Sequence, residues 1–276
     1  MAIDKAIDST AFDSKLTTVA DAIRSAGGTT EPMSFPSDMV EAISQFKSAT
    51  EPYVEETYDS GNELMSAVLH GHKNIRCYAF SHSSKLTSIT IPDSVTTIED
   101  YAFNFCSNLT SITIPNSVTT IGPYAFSYCN KLTSITIPNS VTKLENYAFA
   151  YSRLTSVILP SSLTSAGYYT FYHSSKLTSV TMPDSITTIG DYAFAYSGLT
   201  SVTIPSSVKK IEMQSFGYCK SLTSVTFNGT PSLIRSDAFS NCSALSTINV
   251  PWAQGAVSNA PWGATNATIN YNYTGA

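Results

Sequence analysis

Leu109 to Lys131 reads LTSITIPNSVTTIGPYAFSYCNK, and the pattern returns along most of the chain. Units begin at Leu86, Leu109, Leu132, Leu154, Leu177, Leu199, Leu222 and Leu245, in steps of 22 or 23 residues. A degenerate unit, with Tyr78-Ala79-Phe80 in place of Tyr101-Ala102-Phe103, precedes the first. A period of this length marks an architecture in which no unit buries its apolar side alone, so stacked coils share one core.

Within the unit, Leu109, Ile112 and Ile114 put alternate residues inward, as a short strand does. Pro115 then ends the strand, having no N–H to give a ladder. Val118 and Ile121 mark a second inward segment. The stretch YAFSYC is expected to form a single helical turn. Ala125, Phe126 and Cys129 would point inward, and Tyr124 and Tyr128 outward at i, i+4 spacing. Phe recurs at Phe80, Phe103, Phe126, Phe149, Phe171, Phe194, Phe216 and Phe239, a continuous buried column. The fold class expected is an α/β, β-dominated, right-handed solenoid with a parallel strand ladder and single helical turns on its outer side. The two 22-residue units lose a residue after that turn, at AYSR and AYSG, where a loop tolerates deletion.

These residues resemble the BspA-like leucine-rich repeats of bacterial and protozoal surface proteins, over residues 64–250. Members of that family are adhesion and recognition proteins, so the resemblance implies a binding protein and not an enzyme. Two features depart from it. The opening, MAIDKAIDST, lacks the apolar stretch of an export signal. The residue before the Cys position, often small in the family, is Phe105, Tyr128, Tyr151, Tyr196 or Tyr218.

Composition supports a chain built for neutral surfaces. Charged residues are 13% of the 276, whereas 42 Ser and 34 Thr supply hydroxyls. No apolar run approaches a membrane span of about 18 residues. A net charge of −5 argues against nucleic acid as a partner. The charge is uneven: residues 1–63 carry 12 acidic and 4 basic side chains, giving −8, and residues 64–276 carry 8 and 11, giving +3.

That asymmetry separates the ends from the repeat. Residues 1–50 are expected to form a small helical attachment or oligomerisation module. Leu16, Val19, Ala20 and Ile23 share one helical face, and Met39, Val40, Ile43 and Phe46 another. The segment KLTTVADAIRSAGGTTEPMSFPSDMVEAI resembles stretches of tail-associated proteins from phages of Gram-positive bacteria. A core this small gains from self-association, for which the trimer of phage fibres is the precedent. Residues 51–63 read as an acidic linker. Residues 251–276, with Trp252 and Trp262, are expected to cap the last coil, the rival reading being a Trp-based sugar site.

Catalytic chemistry is hard to find. Cys106, Cys129, Cys219 and Cys242 stand where other units carry Ser, which suits small buried free thiols. His70-Gly71-His72 lacks partners for a metal site, so neither metal nor cofactor is expected. The scattered carboxylates Asp93, Glu99, Asp100, Asp184 and Asp191 offer no evident acid–base pair, and no nucleophile elbow or phosphate loop occurs.

Repeated surfaces are the better candidates. Outward strand positions give a Ser ladder from Ser88 to Ser224 and a Thr ladder from Thr90 to Thr226, the latter broken by Ile158. On the outer side, Tyr78, Tyr101, Tyr124, Tyr147, Tyr169 and Tyr192 form one column; Phe105, Tyr128, Tyr151, His173, Tyr196 and Tyr218 form the next. Tyr suits recognition through its apolar body and polar tip, so Tyr101, Tyr124, Tyr128, Tyr147, Tyr151, Tyr192, Tyr196 and Tyr218 are the candidate ligand-binding residues. The bland alternative is that these rings merely cover the Phe column. Lys85, Lys131, Arg153 and Lys176 would run beside them as a solvated edge.

The expected function is recognition of a cell-surface protein or glycan of a bacterial host. Residues 1–50 would attach the rod to a phage tail or another surface assembly, placing it on a virion tail or extracellular surface. A bacterial adhesin for host matrix or other cells, and a spacer without its own ligand, are the alternatives.

Overall fold

A computed structural model describes residues 52–275. The chain divides into two units, Met1–Tyr53 and Val54–Ala276, and the second is the solenoid. The helical module expected over 1–50 lies outside the described residues.

The strand ladder is parallel where it forms, as the alternation predicts, but residues 111–114 and 134–137 hold the same place in their coils without pairing as strands. Ser66 pairs with Ser88, Ser156 with Ser179, and Ser201, Ser224, Thr247 and Thr268 follow one another in register. A second parallel ladder joins the short strands Asn74–Ile75, Thr97–Ile98, Thr120–Ile121 and Lys143–Leu144. It resumes from Ser165–Ala166 to Leu233–Ile234. The inward residues are those the unit pattern selects: Leu109, Val118, Ile121, Ala125, Phe126 and Cys129 are fully buried. Neighbouring rings of the Phe column stack at 5.2–5.6 Å from Phe80 to Phe239.

The outer segment is not the helical turn expected. In a helix each N–H bonds four residues back. Here alternate N–H groups leave the coil: those of Tyr101, Phe103 and Phe105 donate to Pro123, Ala125 and Ser127 of the next coil at 2.8–2.9 Å. Those between them, on Ala102, Asn104 and Cys106, close turns to Glu99, Tyr101 and Phe103 at 3.1–3.3 Å. Tyr101 and Phe105 have φ of 56° and 59°, the left-handed third residue of a tight turn. The arrangement repeats up the stack, so Tyr and His hold a conformation costing about 1–2 kcal/mol each. The physical reason lies in the neighbouring coil. Its carbonyls stand within reach along the whole outer wall, and taking them satisfies more backbone than an isolated helical turn can.

Both ends are closed. Within the stretch 51–63, read from composition as an acidic linker, Tyr53–Tyr58 is a strand. It lies beside Leu64–His70 across a turn in which Asp59 Oδ1 accepts from the N–H groups of Gly61 and Glu63. Its exposed Glu55 and Glu56 place charge on the sheet edge, which discourages further pairing. At the other end Thr268–Asn270 adds a last parallel strand, and Trp262 is fully buried beneath it. Trp252 is buried too, so neither indole offers a platform for a sugar.

The Cys column explains its exchange with Ser. Cys106, Cys129, Cys219 and Cys242 each donate S–H to the carbonyl of a Phe in the preceding coil, at 3.0–3.3 Å. Ser174 makes the same bond to Phe149 with its hydroxyl. All four thiols are buried and unpaired with one another as disulfides, and only Cys77 is exposed. Burial pushes the Cys106 thiol up to about 12, and Cys129 well above its usual range. A disulfide reagent should therefore label one thiol of the five in the folded chain and all five after denaturation. Rapid labelling of a second thiol in the native state would contradict the closed core.

Candidate functional site

Two surfaces repeat along the rod. On the strand face, the hydroxyls of Thr110, Thr155, Thr178, Thr200 and Thr223 each donate to the carbonyl one coil back, at 2.9–3.4 Å. That column serves the fold. The next two do not. Among the described residues, Ser88, Ser111, Ser134, Ser156, Ser179 and Ser201 are exposed, and their side chains make no hydrogen bond within the protein. The same holds for Thr90, Thr113, Thr136, Thr181 and Thr203. Rows of donors and acceptors, about 4.8 Å apart where the strands pair, are thus left facing outward. Ile158 stands in the Thr row between Thr136 and Thr181, and it is 70% exposed. An isolated apolar side chain ringed by hydroxyls has the make-up of a small contact centre with a polar rim.

The outer wall carries the tyrosines. Tyr101, Tyr124 and Tyr147 stack at 4.5–4.6 Å, and the column continues through Tyr169 to Tyr192. The second column runs through Phe105, Tyr128, Tyr151, His173, Tyr196 and Tyr218 at 4.2–5.0 Å. Ring planes within a column diverge by 10° or less. The eight candidate residues are therefore brought together, half-buried, as two ribbons. Stacking uses their faces and leaves the rings half-exposed. Each such contact contributes about 0.5–1.5 kcal/mol beyond area burial, which offsets the left-handed backbone beneath it.

One ring was not singled out from the sequence. The position between the columns is small or amide-bearing in most units, as in Ser127, Ala150 and Gly217, but in one coil it is Tyr172. Tyr172 stands edge-on to Tyr151, Tyr169, His173, Tyr192 and Tyr196, at 4.7–6.3 Å and 75–83°. A large residue in a small-residue position is the signal that could have found it. The coil from Leu154 to Lys176 holds both exceptions, Ile158 on one face and Tyr172 on the other.

Electrostatics follow from the stacking. The phenols of Tyr101, Tyr128, Tyr147, Tyr192 and Tyr196 are held above the usual 10.0, first by burial and then by neighbouring acidic groups, chiefly stacked phenols. A folded pKa above the unfolded one contributes stability that is present in full below pH 10 and lost as pH rises through the folded value. Tyrosinate absorbance of the folded rod should thus lag that of the unfolded chain. The unfolding midpoint should fall only above pH 10; a free-peptide titration with the rod intact would contradict this.

The groups expected to be inert occupy scattered places. His72 Nδ1 lies 3.0 Å from the His70 carbonyl oxygen, Glu99 accepts from the N–H of Cys77, and Asp191 accepts from that of Met213. Among the described residues no cluster of three or more His, Cys, Asp or Glu is placed to hold a metal ion. No helix among them is long and apolar enough to cross a membrane.

Comparison with known proteins agrees with the coil pattern. The model of the BspA type leucine rich repeat region matches in six copies, over residues 73–199 and 187–259. No curated protein matches. Among solved structures, the leucine rich repeat protein of T. pallidum is 24% identical with a TM-score of 0.50, over 69% of this chain and 87% of that one. A leucine rich cell surface protein of Faecalibacterium prausnitzii is 27% identical with a TM-score of 0.41, over 74% and 70%. The pneumococcal vaccine antigen PcpA is 22% identical with a TM-score of 0.44, over 68% and 56%.

Proposed function

We propose a function from one premise: the chain belongs to the BspA type leucine rich repeat family. It is a non-catalytic recognition protein whose strand face contacts a surface protein or glycan, with Ile158 as the anchor. The observation that carries this reading is Ile158 itself, 70% exposed within rows of hydroxyls that the fold does not use. Identical rows confer little specificity, and one apolar departure gives them an address. Burying an isoleucine is worth about 1.5–3 kcal/mol, or about tenfold and more in affinity.

The test is binding of the labelled full chain to a panel of bacterial strains and host matrix proteins. Ile158→Thr, which restores the row, should weaken binding about tenfold or more and leave the melting temperature unchanged. Unchanged binding would remove the strand face from the reading. If Tyr128→Phe, Tyr151→Phe and Tyr196→Phe together abolish binding instead, the contact lies on the phenol edges. Strain-restricted binding favours recognition of a bacterial host, matrix binding favours an adhesin, and neither leaves a spacer.

Attachment to a phage or prophage tail is the finer part of this proposal, and it is carried by the sequence of residues 1–50 alone. Deleting them should abolish incorporation into particles, and normal incorporation would end that role.

A further inference from the structure

The chain crosses the outer wall in a fixed order: a flank, the first ring column, the second ring column, a second flank. On the first flank lie Glu99, Asp100, Glu145, Asp191, Glu212 and Asp237, six of the eight carboxylates that follow residue 63, with Arg76 and Arg235 towards the ends and Lys143, Lys209 and Lys210 set further back at the second ladder. On the second lie Lys85, Lys131, Arg153, Lys176 and Lys220, with no carboxylate among them. The ribbon of rings is therefore edged by acid on one side and base on the other.

Most of these charges have no partner within the chain. Among the described residues, Lys131, Arg153, Lys176, Lys220 and Glu145 take part in no ion pair. Three do: Glu212 holds Arg235 at 3.1 Å, and Lys85 lies 3.9 Å from Glu63. The strip is also long and even. The outer wall is hydrogen-bonded from coil to coil, so eight coils extend it by about 34 Å.

We propose that this ribbon is a self-association surface, occupied by a second copy of the chain lying parallel to the first. Symmetry selects the arrangement. A two-fold axis along the rod turns the ribbon over and sets the acidic flank of one copy against the basic flank of the other, on both sides at once. A two-fold axis across the rod sets acid against acid and base against base. Only the parallel pair is complementary. In it, Arg153 meets Glu145 of the second copy at the same coil. Lys131 and Lys176 reach the acidic coils on either side. The two copies of Tyr172 face one another near the axis, and the phenol edges meet between. The strand faces stay outward, free for a ligand, and residue 52 of both copies lies at one end.

The experiment measures the oligomeric state of the full chain by sedimentation equilibrium, across concentration and salt. A dimer that weakens with salt is expected. Glu145→Lys and Arg153→Glu should each raise its dissociation constant at least about tenfold, as loss of a close charge pair and gain of a like pair require. The double variant exchanges both charges in both copies and should restore most of the affinity. A trimer, a monomer throughout, or a dimer unmoved by the single reversals overturns the proposal; the last would place association elsewhere in the chain. A double variant as weak as the singles overturns the parallel arrangement. Thermal melts identical to that of the unaltered chain show that each variant is folded.

Discussion

Phe126→Ala should lower the unfolding free energy by about 3–5 kcal/mol, because the site cannot collapse around the cavity. Phe126 is fully buried, and its ring stacks on Phe103 at 5.2 Å and on Phe149 at 5.3 Å. The flanking coils are held at their spacing by backbone hydrogen bonds along the outer wall and the second ladder, so neither Phe can move in to fill the space. For a unit of this size the loss corresponds to a melting point lower by roughly 6–20 °C. In a rod each coil touches only its neighbours, so a weakened central coil also uncouples the two halves. Thermal melting followed by circular dichroism should show a lower and broader transition. A loss below about 1 kcal/mol would mean that the Phe column is dispensable packing.

Trp262→Ala should have a similar cost, about 3–5 kcal/mol, but with a different signature. The Trp262 indole is buried against Phe227 and Trp252, and its N–H donates to the Ser258 carbonyl at 2.8 Å. Its own backbone carbonyl accepts from Phe239, the last ring of the column. Removing the indole opens the core at the end of the ladder, where only Thr268–Asn270 covers Thr247–Asn249. The terminal coils should then lose hydrogen-exchange protection before the rest, and the bared edge should make the chain aggregate on heating. Uniform protection along the rod, with no added light scattering, would show that the last strand caps the core without the indole.

Much of this architecture is legible because the unit is its own control. Eight aligned copies separate the inward Leu, Ile, Val and Phe positions from outward ones that vary, and those inward positions form the core. The outer turn was misread for a local reason: i, i+4 spacing of Tyr124 and Tyr128 fits a helix, but it fits equally a pair of tight turns whose third residues are left-handed. Two residues carried the hint. Pro123 precedes Tyr124, where a fixed φ suits the second place of such a turn. Asn241 takes the Tyr128 position in the last full turn, and Asn tolerates the left-handed region well.

The surfaces were partly legible. Ile158 shows in the sequence as a break in the Thr row, but not that the neighbouring Ser and Thr hydroxyls lack partners whereas those one position earlier have them. That difference depends on which side chains reach a carbonyl of the preceding coil. The tyrosine columns follow from the period, but the use of their faces in stacking depends on a coil spacing near that of two rings in contact.

The hydrogen-bonded outer wall has a consequence for how such a gene can change. Because each coil adds one hydrogen-bonded step to the outer wall, inserting or deleting one unit alters reach in a fixed step and leaves the end caps as they were. Near-identical units invite unequal recombination, and its products keep the coil pattern. Length is then a trait that varies in whole increments, independently of what the surface recognises.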